Sequence, residues 1–330
     1  MRSFEERLTN HIEATALLTT LIQPSSDQLR LDKLNKFSEK LLKREFTIAF
    51  AGHFSAGKSS MINALTGESI LPTSPIPTSA NIVTLRREEQ DAAIIHFHDR
   101  PAVKLSAADL PHLETLGRDG TVERIDITHA GSNLPQGLVL MDTPGVDSVD
   151  DAHRISTESA LHLADLIFYV MDYNHVQSEL NFTVTRELLT SVPELYLIVN
   201  QIDKHQSSEL SFAAFKRSVV QSFAAHGVEP KGIFFTSLRE ADHPENDFQT
   251  VKELVDHSIR DVQPKLLQSA ATTLESLHAE HVAYLETRIE EAAESTNDGL
   301  TPAERQQSDA LLEQLHQLDL QLELMAPEQW

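Results

Sequence analysis

The chain contains no cysteine. That excludes disulfide bridges, thiol catalysis and cysteine-ligated zinc, and it fits a reducing cytoplasm. Basic residues are also scarce: 27 Lys and Arg stand against 50 Asp and Glu, for a formal charge of −23. Such an acidic surface repels DNA, RNA and anionic lipid, so this chain by itself is expected to bind neither nucleic acid nor a membrane. No run of about 18 apolar residues occurs, which excludes a membrane-spanning helix. The opening stretch Met1–Asn10 is charged rather than apolar and does not read as a secretory signal. Hydrophobic residues make up 40% of the 330, enough for a sizeable core in one large or two ordinary domains.

Residues 1–45 carry helical periodicity twice. Leu8, Ile12, Leu18 and Ile22 form one stripe. Gln23-Pro24-Ser25-Ser26-Asp27 breaks it, and Leu31, Leu34, Phe37 and Leu41 form the next. From Phe46 the pattern changes to short apolar runs: Phe46–Ala51, Gly137–Met141, Leu166–Met171, Leu195–Val199 and Ile233–Phe235. Runs alternating with helical stretches predict an α/β fold with a mostly parallel central sheet and helices on both faces. Beyond Pro264 the strand signal ends. Leu267, Ala270, Leu274, Leu277, His281, Leu285 and Ile289 predict one long helix. Thr301-Pro302-Ala303-Glu304 reads as the start of another, with Leu311, Leu315, Leu318, Leu322 and Met325 as its stripe.

Gly52-His53-Phe54-Ser55-Ala56-Gly57-Lys58-Ser59 fits the phosphate-loop pattern G-x-x-x-x-G-K-[ST] between a predicted strand and a helix starting near Ser60. Glycines let backbone N–H groups wrap a β-phosphate, and the helix N-terminus adds favourable partial charge. Lys58 is placed to reach β- and γ-oxygens, and the Ser59 hydroxyl to ligate Mg²⁺. Asp142-Thr143-Pro144-Gly145 ends another strand. Its acid can hold the Mg²⁺ shell, and the Gly145 N–H can sense a γ-phosphate.

Asn200-Gln201-Ile202-Asp203 ends a third strand. A carboxylate there accepts from the N1–H and 2-amino groups of guanine. Adenine lacks that donor pair, so Asp203 reads GTP. Gln201 stands where the usual pattern has a lysine whose stem covers the base. Thr236-Ser237-Leu238 is the expected last base-contacting loop. The switch that meets Mg²⁺ and the attacking water belongs in residues 71–80. Thr78 and Ser79 both offer the required hydroxyl, Thr73 is a third candidate, and spacing does not choose among them.

Phe54-Ser55-Ala56-Gly57-Lys58-Ser59-Ser60, Pro77-Thr78-Ser79-Ala80, Asp142-Thr143-Pro144-Gly145-Val146-Asp147-Ser148 and Asn200-Gln201-Ile202-Asp203-Lys204 together resemble the bacterial dynamin-like proteins. The resemblance implies a GTPase domain over residues 46–262, with residues 1–45 and 263–330 as helices of one bundle. It implies extra strands between Lys58 and Asp142, for which Ile82–Leu85, Ala92–Phe97 and Glu123–Thr128 qualify. It also implies membrane remodelling or fusion at the cytoplasmic face, driven by nucleotide-dependent self-assembly and reaching lipid through regions absent here. The chain is therefore expected to be the front part of a longer protein, which a tandem dynamin would explain. By the same resemblance the nucleotide set extends through Lys204, Ser237 and Leu238. No glutamine follows the D-x-x-G turn, where Val146 stands, and no arginine lies between Gly52 and Gly57. The resemblance fills that gap with Na⁺ or K⁺ held at Ser55 in a dimer formed across two nucleotides.

Two other functional readings remain open: a monomeric regulatory GTPase of the ribosome-associated or septin-like kind, and a GTP-dependent scaffold of low turnover. Among 16 histidines, His53 lies inside the phosphate loop and is expected to face solvent or a dimer partner rather than to transfer a proton. His96 and His98 share a strand face, where packing is expected over metal binding.

Overall fold

A computed structural model describes residues 3–71, 81–97, 99–106, 122–146, 160–260 and 262–294. It divides into two compact units, Glu45–Lys265 and a second made from Met1–Arg44 with Leu266–Trp330.

The larger unit is built on a nine-stranded sheet. Its strands are β1 (Phe46–Gly52), β2 (Ile82–Arg86), β3 (Ala92–Phe97), β4 (Val103–Ser106), β5 (Val122–Thr128), β6 (Leu138–Asp142), β7 (Leu166–Asp172), β8 (Leu195–Asn200) and β9 (Gly232–Thr236). They lie in the order β4-β3-β5-β2-β6-β1-β7-β8-β9. From β6 to β9 every pairing is parallel. β2 runs antiparallel to β6 and parallel to β5, while β3 is antiparallel to both β5 and β4. The strands expected from the apolar runs are all present. β4, Val-Lys-Leu-Ser, was not anticipated, because a short half-polar edge strand leaves no buried run to recognise.

Central strands are buried on both sides, and their alternate residues feed two cores. On β1, Phe46, Ile48 and Phe50 join one cluster while Ala49 and Ala51 join the other. β7 does the same with Leu166, Phe168 and Val170 against Ile167, Tyr169 and Met171. Phe50, Phe168, Tyr196 and Phe234 make a row of rings across β1, β7, β8 and β9, with centroids 5.3, 5.8 and 6.0 Å apart. β1 has β6 on one side and β7 on the other, so successive connections leave it in opposite directions. In open sheets that reversal opens a crevice at the carboxyl ends of the strands.

The second unit joins α1 (Phe4–Ile22), α2 (Gln28–Lys43) and most of α7 (Val262–Glu294), while α3 (Lys58–Thr66), α4 (Glu179–Ser191), α5 (Phe212–Ala225) and α6 (Phe248–Arg260) belong to the larger unit. Ser3 and Glu6 form a capping box on α1. Asp27 caps α2 and meets His281 of α7 at 2.8 Å, with both side chains buried. Glu280 of α7 pairs with Lys33 at 2.7 Å and with Arg30 at 3.4 Å. The buried stripe of α1 is Leu8, His11, Ala14, Thr15, Leu18 and Ile22; Ile12, expected inside, is half-buried. His11 and Thr15 take that side because both bond along the helix, the ring to the Arg7 carbonyl and the hydroxyl to the His11 carbonyl, each at 2.7 Å. The helix expected after Thr301 lies outside the described residues.

Candidate functional site

Four strand ends meet at the carboxyl edge of the sheet. β1 runs into the phosphate loop and α3 (Lys58–Thr66), β6 ends at Asp142, β8 at Asn200, and β9 at Thr236. Gly52 and Gly57 are required by shape. Gly52 has φ +137°, and a Cβ there would sit 1.9 Å from the Val170 carbonyl oxygen. Gly57 has φ +102°, and its Cβ would meet the Asn200 side-chain nitrogen at 2.4 Å. Ser55, an exposed non-glycine, holds φ +60°, which folds the loop between them.

Lys58 opens α3, and its amine donates to the carbonyls of Gly52 and His53 at 2.9 and 2.7 Å. The cation is thereby held inside the loop. The Ser59 hydroxyl donates to the Asp142 carboxylate. Burial pushes the Asp142 carboxyl up to about 6, against the pull of Lys58 and the Ser59 hydrogen bond. Its other oxygen, Oδ1, is buried without a partner. A hydroxyl beside a carboxylate with one uncommitted oxygen is a donor set that suits a hard divalent cation. Thr143 anchors the following turn through its N–H and hydroxyl to the Phe50 carbonyl, at 3.2 and 3.1 Å. Val146 donates its N–H to the Gly52 carbonyl at 3.2 Å, leaving half-buried Gly145 between these two anchors. Thr73, Thr78 and Ser79 lie outside the described residues.

The end of β8 is tied to the loop between β1 and α3. Buried Asn200 donates to the Ala56 carbonyl at 2.9 Å and accepts from the Thr236 hydroxyl at 3.1 Å. Gln201, at φ +66°, donates to the Ser55 carbonyl at 3.1 Å and accepts from exposed Lys204. Gln201 thus braces the phosphate loop. Asp203, in a 3₁₀ turn (Ile202–Lys204), accepts from the Ser237 hydroxyl at 2.7 Å. The Ser237 hydroxyl accepts in turn from the N–H groups of Arg239 and Glu240, at 3.2 and 3.0 Å. Leu238 packs partly buried against the core, and Ser60 follows Ser59 half-buried in the first turn of α3.

His53, expected to face solvent or a dimer partner, is half-buried, and its ring donates Nε2–H to the Asn181 side-chain oxygen at 2.6 Å. Asn181 is fully buried at the start of α4 (Glu179–Ser191). It also accepts from the Tyr169 hydroxyl at 2.9 Å and donates to the His175 carbonyl at 2.8 Å. Phe54 beside it is 47% exposed. Sequence reading missed Asn181 and Asn246. Asn246 accepts the Ser237 N–H at 3.2 Å and donates to the Ser237 carbonyl at 2.8 Å. Asn181 lies 128 residues from His53 and Asn246 nine from Ser237, and no local pattern marks either. His96 donates to Asp126 at 2.9 Å across the β3–β5 pair, as packing requires; His98 is outside the described residues. Among the described residues no three metal-ligating side chains cluster.

The Dynamin family model matches residues 48–203, the span from β1 through Asp203. Over that span the chain carries a dynamin-family domain. Dynamin-like protein A of Bacillus subtilis (strain 168) is 36% identical over 292 residues, covering 86% of this chain and 24% of that protein. Dynamin-like protein 1 of Campylobacter jejuni is 23% identical over 227 residues, covering 56% of this chain and 31% of that protein. This chain thus spans about a quarter to a third of the length of these two relatives. A solved structure described as "An oligomerised bacterial dynamin pair provides a mechanism for the long range sensing and tethering of membranes" shares the fold. It superposes with a TM-score of 0.53 at 18% identity, covering 97% of this chain and 52% of that one. No described helix is long and apolar enough to cross a membrane.

Proposed function

We propose that this dynamin domain binds GTP with Mg²⁺ and hydrolyses it to GDP and phosphate, and that two copies pair across their nucleotide faces to do so. The observation that carries this reading is the meeting of Lys58, the Ser59–Asp142 pair and Asp203 at one sheet edge, braced by Asn200. Lys58 supplies the fixed cation for the β- and γ-oxygens. Ser59 and Asp142 would hold Mg²⁺, which neutralises phosphate charge when bound. Gly145 offers an N–H toward the γ-phosphate, and Asp203 selects guanine. Thr78 or Ser79 completes the set.

The remaining charge between the β- and γ-phosphates calls for a further electrophile. Ser55 is the proposed holder of Na⁺ or K⁺, its backbone kept in place by Gln201. The printed description of the structural relative, which speaks of an oligomerised bacterial dynamin pair, favours pairing over monomeric action. In the longer protein, residues 1–45 and 263–330 act as one helical bundle that passes nucleotide-driven pairing to a membrane at its cytoplasmic face. The printed description of the structural relative, which speaks of tethering membranes, supports that part of the reading.

The test is phosphate release per enzyme as protein concentration rises, with choline replacing Na⁺ and K⁺ in a parallel series. Specific activity should climb with concentration and collapse in choline. Dimers should form with GDP and aluminium fluoride and not with GDP. Ser55→Ala should lose turnover more than binding, and Lys58→Ala should lose tight GTP binding. A concentration-independent, cation-indifferent rate would favour the monomeric switch, and no turnover the scaffold.

A further inference from the structure

Both ring nitrogens of His129, the residue after β5, face carboxylates. Nε2 lies 2.7 Å from an oxygen of Glu68 and Nδ1 lies 3.0 Å from an oxygen of Asp91. The Asp91 oxygen also accepts the Ala130 N–H at 2.7 Å, which with the His129 contact holds its carboxyl below the usual range. Ionised carboxylates only accept, so each ring nitrogen must donate. A ring with two N–H groups is an imidazolium. Burial alone would lower its pKa, but the hydrogen bonds and charges of Glu68 and Asp91 outweigh that and raise it from 6.5. Among the described residues, those two are the charged groups that face the ring.

The three residues come from places that matter to the nucleotide edge. Glu68 follows Gly67, the C-cap of α3, the helix that opens with Lys58 and Ser59. Its N–H donates to the Asn63 carbonyl at 3.2 Å, and the Asn63 side chain fixes the N–H groups of Ile70 and Leu71 at 3.1 and 2.8 Å. Asp91 lies in the β2–β3 turn. The His129 backbone N–H donates to the Arg86 carbonyl, the last residue of β2, at 3.0 Å. β2 in turn pairs with β6, with Val83 opposite Asp142. One residue therefore fastens the far end of the helix bearing Ser59 to the strand that registers Asp142.

We infer that His129 is a positioning residue for the proposed GTP hydrolysis, its imidazolium clamping α3 to β2 through Glu68 and Asp91 and so setting Ser59 against Asp142. Its partner Glu68 lies beyond the C-terminal end of α3, opposite the first turn that carries Ser59. The clamp is whole below the ordinary imidazole value and is lost as pH rises through the raised one, when one carboxylate must let go. Turnover should fall over that window while the KM for GTP holds.

The test uses the full chain and two readouts. NMR titration of the His129 ring should give a midpoint above 6.5, moved downward in Asp91→Asn and in Glu68→Gln. A ring that titrates at or below the ordinary value overturns the clamp, whatever the enzyme does. GTP turnover measured from about pH 6 to about pH 9 should decline in the wild type. In His129→Gln that decline should be absent, with turnover roughly three- to fivefold lower at the acidic end, the size expected for partly exposed ion pairs. Asp91→Asn, which leaves the Glu68 pair in place, should shift the decline to lower pH, and it serves if His129→Gln does not fold. Wild-type and variant profiles that coincide overturn the positioning role. A wild type with no turnover at any pH instead overturns the GTPase reading on which this inference rests, and the NMR result stands apart from it.

Discussion

Asn200 joins the two halves of the nucleotide edge: its side-chain amide donates to the Ala56 carbonyl at 2.9 Å, across the place where a side chain on Gly57 would stand. The end of β8 thus holds the middle of the phosphate loop. Asn200→Ala would free the Ala56 carbonyl and strand the Thr236 hydroxyl. One charge-neutral buried hydrogen bond is worth about 1 kcal/mol. Nucleotide affinity should fall about tenfold, which is roughly 1.4 kcal/mol, with base preference kept. Titration calorimetry with GDP and with ADP reads both.

Asp203→Asn should turn selectivity from guanosine toward xanthosine nucleotides. Ser237 donates to one Asp203 oxygen at 2.7 Å, and an asparagine oxygen still accepts that bond. Its amide then stands at the other position and donates to the carbonyl that replaces the 2-amino group. Competition between GTP and XTP for the same site checks it. Unaltered GTP preference would remove Asp203 from base reading.

Asp142→Asn should separate stability from function. The carboxyl is pushed up to about 6 by burial, so its charged form is unfavourable in the fold at neutral pH. Replacing it by a neutral group should raise the thermal midpoint of the nucleotide-free protein, by an amount corresponding to about 3 kcal/mol. The same change should abolish Mg²⁺-stimulated GTP turnover. A variant that is less stable and still active would contradict both halves.

Deleting residues 1–45 should leave α7 uncovered. Leu266, Leu267, Leu274, Leu277 and Leu285 are buried, and the deletion also removes Asp27, Arg30 and Lys33, the partners of His281 and Glu280. Each leucine is worth roughly 1.5–3 kcal/mol when fully buried. Aggregation in gel filtration or a large fall in the melting midpoint is expected. A soluble truncation of equal stability would show that α1 and α2 do not cover α7.

The helical unit should weaken in mild acid. Burial lowers the pKa of both His11 and His281, overcoming the Arg7 carbonyl at the first and the Asp27 contact at the second; Arg7 and Arg30 add to the lowering. The unfolded imidazoles take up protons near 6.5, where the buried ones do not. Stability is therefore full above that value and falls as pH drops below it. His11→Leu should lessen the acid loss, as thermal midpoints across the window would record.

The residues of the phosphate loop, Asp142-Thr143-Pro144-Gly145 and Asn200-Gln201-Ile202-Asp203 were legible in sequence because their chemistry is local. A glycine with positive φ, a lysine opening a helix and an acid ending an apolar strand each need only their neighbours in the chain. The long two-sided strands were legible for the same reason, since burial on both faces leaves an unbroken apolar run. Only the tertiary structure decided that Asn200 braces Ala56, that Ser237 and Asn246 shape the loop at Asp203, and that Asn181 turns His53 inward. It also decided the order of the strands, with β2 antiparallel to β6, and the meeting of Glu68, Asp91 and His129. Apart from Ser237 and Asn246, which lie nine residues apart, these are contacts between residues far apart in the chain. Any single asparagine, histidine or acid is compatible with many neighbours until the sheet fixes which carbonyls and hydroxyls lie within hydrogen-bonding distance.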